Sequence, residues 1–290
     1  MKSRVFAWFL IALTVVAVGC RKSANEPPVA TPTLALDHLR VPLGSPLNIT
    51  YEFKVAQNAP AFTEDYRVFV HFVDADDEMM WTDDHFPPTP TTQWKPGQTI
   101  KYNRLLFVPV YPYVGEATID IGLYNKGGKR LVLAAADKGQ HAYRMMKIQV
   151  LPQTENLYLT FKDGWHLTET APDNPGNEWH WTKKDSTISF KNPKKDSIFF
   201  LELGGQPKLL AEPQAVTVSV GDQLISAFTL APNRELRQIA ITAAQFGQAE
   251  QVELKLHADK TFVPTVASNG AQSDNRELGL CVYHAFVQPK

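Results

Sequence analysis

Cysteine is almost absent. Cys20 and Cys281 are the only two in 290 residues, too few for a disulfide framework. Charge of one sign is missing as well: 29 basic and 30 acidic residues leave a formal net charge of −1. That balance excludes the electrostatic footprint of a nucleic-acid binder and supplies no polybasic block for extra membrane attachment. No window of helical length carries apolar residues at i, i+3, i+4 and i+7. The chain also lacks a G-x-S-x-G elbow, an H-E-x-x-H helix, a phosphate-cradling glycine loop and a setting for a cysteine nucleophile. A non-enzymatic protein without cofactor is therefore expected. Paired carboxylates of a glycosidase need only converge in space, but nothing in the sequence singles out such a pair.

What is present begins at the amino terminus. Lys2 and Arg4 precede an apolar run over residues 5–18, broken only by Thr14 and ending in small residues before Cys20. The run is too short for a membrane span and has the flanks of a secretory signal. Ala17-Val18-Gly19-Cys20 resembles the lipobox of bacterial lipoproteins. The resemblance implies cleavage before Cys20, a diacylglyceryl thioether on its sulfur, and fatty acid such as palmitate on its amino group. Arg21 stands where an Asp would commonly retain such a protein at the inner membrane, so the resemblance implies an outer-membrane location. Each buried methylene contributes about 0.8 kcal/mol, making the lipid bilayer the first expected partner, through Cys20. Residues 1–19 are thus expected to be the signal, and residues 20–31 the lipidated cysteine and a proline-bearing tether.

The body alternates with a period of two. Leu47, Ile49, Tyr51, Phe53 and Val55 interleave with Asn48, Thr50, Glu52 and Lys54, a half-buried strand. Similar runs surround Val70, Ile121 and Ile148, with turn signals at Lys95-Pro96-Gly97 and Lys126-Gly127-Gly128 between them. The fold class expected is all-β: two tandem β-sandwich domains, immunoglobulin-like over residues 32–152 and jelly-roll-like over residues 153–290. Cys281, inside the apolar run from Leu278 to Tyr283, reads as a buried structural thiol.

Candidate ligand-binding residues crowd the second half. Gly164-Trp165-His166 and Glu178-Trp179-His180-Trp181 flank a loop holding Asp173 and Asn174. Indole faces cover the C–H faces of sugar rings while polar neighbours bond the hydroxyls, which nominates Trp165, Trp179, Trp181, Asp173, Asn174 and Glu178. Alternatively these tryptophans are core plugs, with Trp179 and Trp181 sharing one strand face. Gly164-Trp165, Trp179-His180-Trp181-Thr182 and Asp274-Asn275-Arg276-Glu277-Leu278-Gly279 resemble the G-W, W-x-W-T and D-x-R-x-L-G elements of β-sandwich modules associated with bacterial glycosyltransferases and envelope-polysaccharide proteins. The resemblance implies a carbohydrate-related setting. Asp274 and Arg276 are expected to form a buried ion pair that pins a loop to the final strand.

In the first half, His71, Asp74, Asp76, Asp77, Asp83, Asp84 and His85 lie close in sequence. Two imidazoles with a carboxylate suit zinc. Residues 74–78, however, lack the glycine and terminal Glu of a calcium loop and read as a polar hairpin turn, so no metal is expected. The expected function is the binding or organising of cell-envelope polysaccharide. An adapter for an envelope protein, with its contact surface around residues 81–88, is the alternative, and a carboxylate- or metal-dependent hydrolase the third reading.

Overall fold

The computed structural model describes residues 26–172, 174–205, 209–210 and 212–290. The expected signal and Cys20 lie outside the described residues. The described residues are all-β, with two four-residue helices among them, α1 (Ala243–Phe246) and α2 (Pro264–Ala267).

The first sandwich is built from β1 (Ala30–Leu36), β2 (Arg40–Pro42), β3 (Pro46–Val55), β4 (Arg67–Val73), β5 (Met79–Thr82), β6 (Thr99–Phe107), β7 (Gly115–Tyr124), β8 (Asp137–Gly139) and β9 (Ala142–Leu151). One sheet runs β1-β3-β6 and the other β2-β9-β7-β4-β5, with β8 on β9. β2 joins β9 in parallel, while the other strand pairs are antiparallel. This connectivity is immunoglobulin-like. β1 takes in Ala30 and Thr31, which composition assigns to the tether. It also holds Pro32, tolerated because β1 is an edge strand whose missing N–H costs no ladder bond. Leu47, Ile49, Tyr51, Phe53 and Val55 turn inward and meet Val68, Val70, Phe72, Ile119, Ile121 and Leu123 in one core. Trp81 stacks on Phe72 with ring centroids 4.8 Å apart, so it is core rather than recognition surface.

The acidic stretch ahead of β6 is consumed by this core. Asp83 accepts two bonds from Arg104, at 2.8 Å from Nε and 2.6 Å from Nη2, and one from the Tyr51 hydroxyl at 3.2 Å. Such a bidentate pair satisfies a carboxylate that is largely out of water. Asp84 accepts from the Val70 amide at 3.0 Å and from the Tyr124 hydroxyl at 3.1 Å. His85 Nδ1 lies 2.7 Å from the Asp83 carbonyl oxygen, which only accepts, so Nδ1 carries the proton. Nε2 then accepts from the Tyr102 hydroxyl at 2.8 Å. Among the described residues no group of three His, Cys, Asp or Glu is arranged to hold a metal ion.

The second sandwich comprises β10 (Thr160–Phe161), β11 (Glu169–Ala171), β12 (Asn174–Trp181), β13 (Asp185–Lys191), β14 (Ser197–Gly204), β15 (Ala215–Val220), β16 (Gln223–Thr229), β17 (Glu235–Ile241), β18 (Gln251–Ala258) and β19 (Cys281–Pro289). Its sheets run β10-β13-β18-β15-β16 and β11-β12-β19-β14-β17. From β12 to β19 this is the eight-strand jelly-roll order, with one short strand added at the edge of each sheet. Ile188, Phe199, Leu201, Val216, Leu254 and Val282 fill the space between. The two sandwiches touch where Phe107 at the end of β6 stacks on His284, centroids 4.3 Å apart, with Phe200 edge-on beside it.

Burial holds His85 below its ordinary pKa of 6.5, and it does the same to His71. The folded state therefore favours the neutral ring. The stability this contributes is complete above about pH 6.5 and is lost as pH falls through the lowered value. The urea midpoint should drop between pH 7.5 and pH 5.5, and His85→Gln should shrink that drop. An equal drop in His85→Gln would show that this ring plays no part.

Candidate functional site

Strands β10 and β11 border the same edge of the jelly roll, because they flank β13 and β12, the neighbouring outer strands of its two sheets. Between them opens a groove of about 420 Å³, lined by Phe161, Lys162, Trp165, His166, Leu167, Thr168 and His180. Phe161 and His180 rings lie 4.6 Å apart, and Phe161 and Trp165 4.5 Å apart. Leu167 is 88% exposed at the rim. An apolar, ring-bearing surface with a few polar groups at its margin is the usual make-up of a small-molecule site.

The chain shapes this groove through a tight backbone approach. Gly164 has φ +81°, and a β-carbon there would sit 1.9 Å from the Asp185 carbonyl oxygen; only glycine fits. The turn it makes returns Trp165 over the end of β13, where its Nε1 donates to the Thr187 carbonyl at 2.9 Å. That bond uses the single indole donor, leaving the ring to act through its face and edge. His166 Nε2 donates to the Glu277 carbonyl at 2.9 Å, tying the groove to the segment before β19.

That segment is clamped in turn. Thr182 Oγ1 accepts from the Leu280 amide at 2.8 Å, and the Gly279 amide donates to the Thr182 carbonyl at 2.6 Å. A β-carbon on Gly279 would lie 2.3 Å from the Lys183 carbonyl oxygen. Arg276 reaches Asp274 at 2.6 Å and Glu169 of β11 at 2.7 Å. The Asp274–Arg276 pair expected from sequence thus extends to a third partner on the strand bordering the groove. The G-W, W-x-W-T and D-x-R-x-L-G elements meet in three dimensions as a scaffold.

The structure separates the tryptophans proposed as a platform. In the ladder between β12 and β19, His180 faces Val282 and Trp181 faces Cys281. Val282 belongs to the core between the sheets, whereas Cys281 packs with Trp181, Phe262 and Leu278 outside it. Trp181 and Trp179 therefore point away from the groove, while His180 points into it. Trp181 is 9% exposed, edge-on to Phe262; Trp179 is partly buried beside Tyr283. Trp165 alone of the three lines the groove. Glu178 is exposed, opposite Thr170 in the hairpin of β11 and β12, and is not a lining residue. Asp173 and the side chain of Asn174 lie outside the described residues. Sequence reasoning passed over Phe161, Leu167 and Thr168, whose short strand and loop carry no alternation to mark them. Cys281 is a free, buried thiol with its pKa pushed up to about 11 by burial, which makes it a poor nucleophile at neutral pH. Around residues 81–88 Phe86, at 59%, is the one large apolar side chain that is markedly exposed, with Pro88 beside it.

No family model and no curated protein sequence matches the chain. Among solved structures it is similar to the CBM51-2 and INT domains of Clostridium perfringens ZmpB, at 12% identity and a TM-score of 0.26, over 62% of this chain and 38% of that one. It is similar also to Bacteroides uniformis beta-glucuronidase, at 11% identity and a TM-score of 0.28, over 89% of this chain and 30% of that one. An exo-beta-1,3-galactanase from Phanerochaete chrysosporium aligns at 7% identity with a TM-score of 0.27, over 89% of this chain and 57% of that one. The chain spans well under two thirds of each. At such identities and scores the likeness carries no argument about function.

The scaffold is testable apart from any ligand. Gly279→Ala should cost about 1–3 kcal/mol by forcing Lys183 or Thr182 aside, and Trp181→Ala about 3–5 kcal/mol. Both are read from urea unfolding. An unchanged midpoint for Gly279→Ala would remove the clamp.

Proposed function

We propose that this is a non-enzymatic lipoprotein of the outer membrane, anchored through acylated Cys20, whose jelly-roll domain binds cell-envelope polysaccharide in the groove of Phe161, Trp165 and His180. The observation that carries the binding reading is the groove itself, an open ring-lined surface at a sandwich edge, held in shape from three sides. A sugar ring laid on Phe161 would cover apolar area and meet Thr168 and the imidazoles with its hydroxyls. No carboxylate is among the described lining residues, so these offer a sugar a resting place rather than an acid–base pair. The lipid anchor is supported by the sequence Ala17-Val18-Gly19-Cys20.

Affinity electrophoresis of the full chain in mild detergent, in gels containing envelope polysaccharide, tests the binding. Phe161→Ala should weaken retention about tenfold, the loss of roughly 1.4 kcal/mol of ring contact, while the circular dichroism stays that of a folded β-protein. Retention equal to that of the unmodified chain would count against the groove. Cys20→Ser should separately abolish fatty-acid labelling and move the protein from the membrane to the soluble fraction.

A further inference from the structure

The lining of the groove is uneven in a way that bears on which sugar it takes. A site for neutral sugars needs acceptors as well as donors, because each hydroxyl both gives and receives a hydrogen bond, and carboxylates or carboxamides ordinarily supply the acceptors. Among the described residues the lining includes no Asp, Glu, Asn or Gln. Asp163, next in the chain to Lys162, is not a lining residue. What the groove holds instead is Lys162, exposed beside Phe161, with His166, His180 and the Thr168 hydroxyl. The Lys162 amide donates to the Thr187 carbonyl at 2.9 Å, which fixes the root of the side chain, and the side chain itself is exposed and in no salt bridge among the described residues. The chain as a whole is near neutral, at −1, so general attraction of polyanions does not account for this local bias.

We infer that the saccharide bound here is acidic, its negatively charged substituent seated against Lys162 while its ring lies on Phe161. The inference rests on the saccharide reading of this groove and adds the charge. A carboxylate and a sulfate share the required chemistry, and charge-assisted bonds to either are about twice as strong as neutral ones.

The test is affinity electrophoresis of the full chain in mild detergent against two matched pairs: polygalacturonate with its methyl ester, and dextran sulfate with dextran. At least one charged polymer should retain the protein about tenfold more strongly than its uncharged counterpart, and the pair that does so tells carboxylate from sulfate. Lys162→Gln should erase that difference, so that in the variant the charged polymer retains the protein no more strongly than its uncharged counterpart; Lys162→Arg should keep it. Equal retention by charged and uncharged polymers overturns the acidic preference and leaves the saccharide reading standing. No retention by any polymer sinks both. A preference that survives in Lys162→Gln, or that is untouched by Phe161→Ala, places the charge effect elsewhere on the surface and also overturns it.

Discussion

The second domain depends on a close approach of backbone to backbone at two glycines. Gly164 lies against Asp185, and Gly279 lies against Lys183, so the turn between β12 and β13 is gripped from both sides. Neither contact admits a β-carbon. Between them, Thr182 accepts from the Gly279 amide with its carbonyl and from the Leu280 amide with its hydroxyl, and its own amide donates to the Leu280 carbonyl. Buried polar groups satisfied this way fix one arrangement of the chain, because each displaced partner would be left unpaired in an apolar setting. The groove inherits that rigidity. Trp165 follows Gly164 directly, and His180 precedes Trp181 and Thr182 by one and two positions.

Arg276 extends the grip to the far side of the groove. Its guanidinium is held between Asp274 and Glu169, at separations short enough for two charge-assisted bonds. Asp274 is held below its ordinary pKa chiefly by its bonds from Arg276. Being partly exposed, these pairs contribute little to global stability. Their value is positional: β11 is only three residues long and, among the described residues, pairs with β12 alone, and Arg276 ties it to the segment before β19 as well.

Period-two alternation carried most of the architecture. Five alternate residues of β3 all reach the first core, and the alternation in β13, β14 and β18 does the same for the second. Alternation also states which residues share a face, and Trp179 and Trp181 do share one. What it leaves open is which face is which, since a strand near an edge can be covered on both sides. Here Phe262, Leu278 and Cys281 cover the outer face of β12, and the indoles go there rather than to the groove. Residues 74–78 do form the polar hairpin, between β4 and β5. Asp83 and Asp84, after β5, turn inward, because Arg104 and Tyr51 on the facing sheet and Tyr124 beside them supply partners that lie far away in sequence. Long-range satisfaction of this kind leaves no local pattern. The groove was half legible: Trp165 and the two elements that build its scaffold stand out, whereas Phe161 and Leu167 sit in segments too short to show a period.

The contact between the sandwiches bears on whether the groove is free to work. Phe107 stacks on His284 and meets Phe200, which belong to β19 and β14. Behind that contact, Glu202 is held at about 2. Burial alone would raise it, but bonds from His284 at 2.6 Å and Arg234 at 2.6 Å prevail. The carboxylate is therefore ionised at neutral pH, and it bonds the ring on which Phe107 rests. In the sheet order β11-β12-β19-β14-β17, the Phe107 contact falls on the two strands inward of β12, while His180 of β12 is what this sheet gives the groove. Strands are spaced about 4.8 Å apart, so the contact on β14 and β19 lies roughly 10–15 Å from the edge. Phe107 presses on the outer face of the sheet, and His180 enters the groove from the inner face. The first domain thus leans on the jelly roll without covering its open edge, and a ligand can reach the rings of Phe161 and Trp165 while the two domains stay in contact.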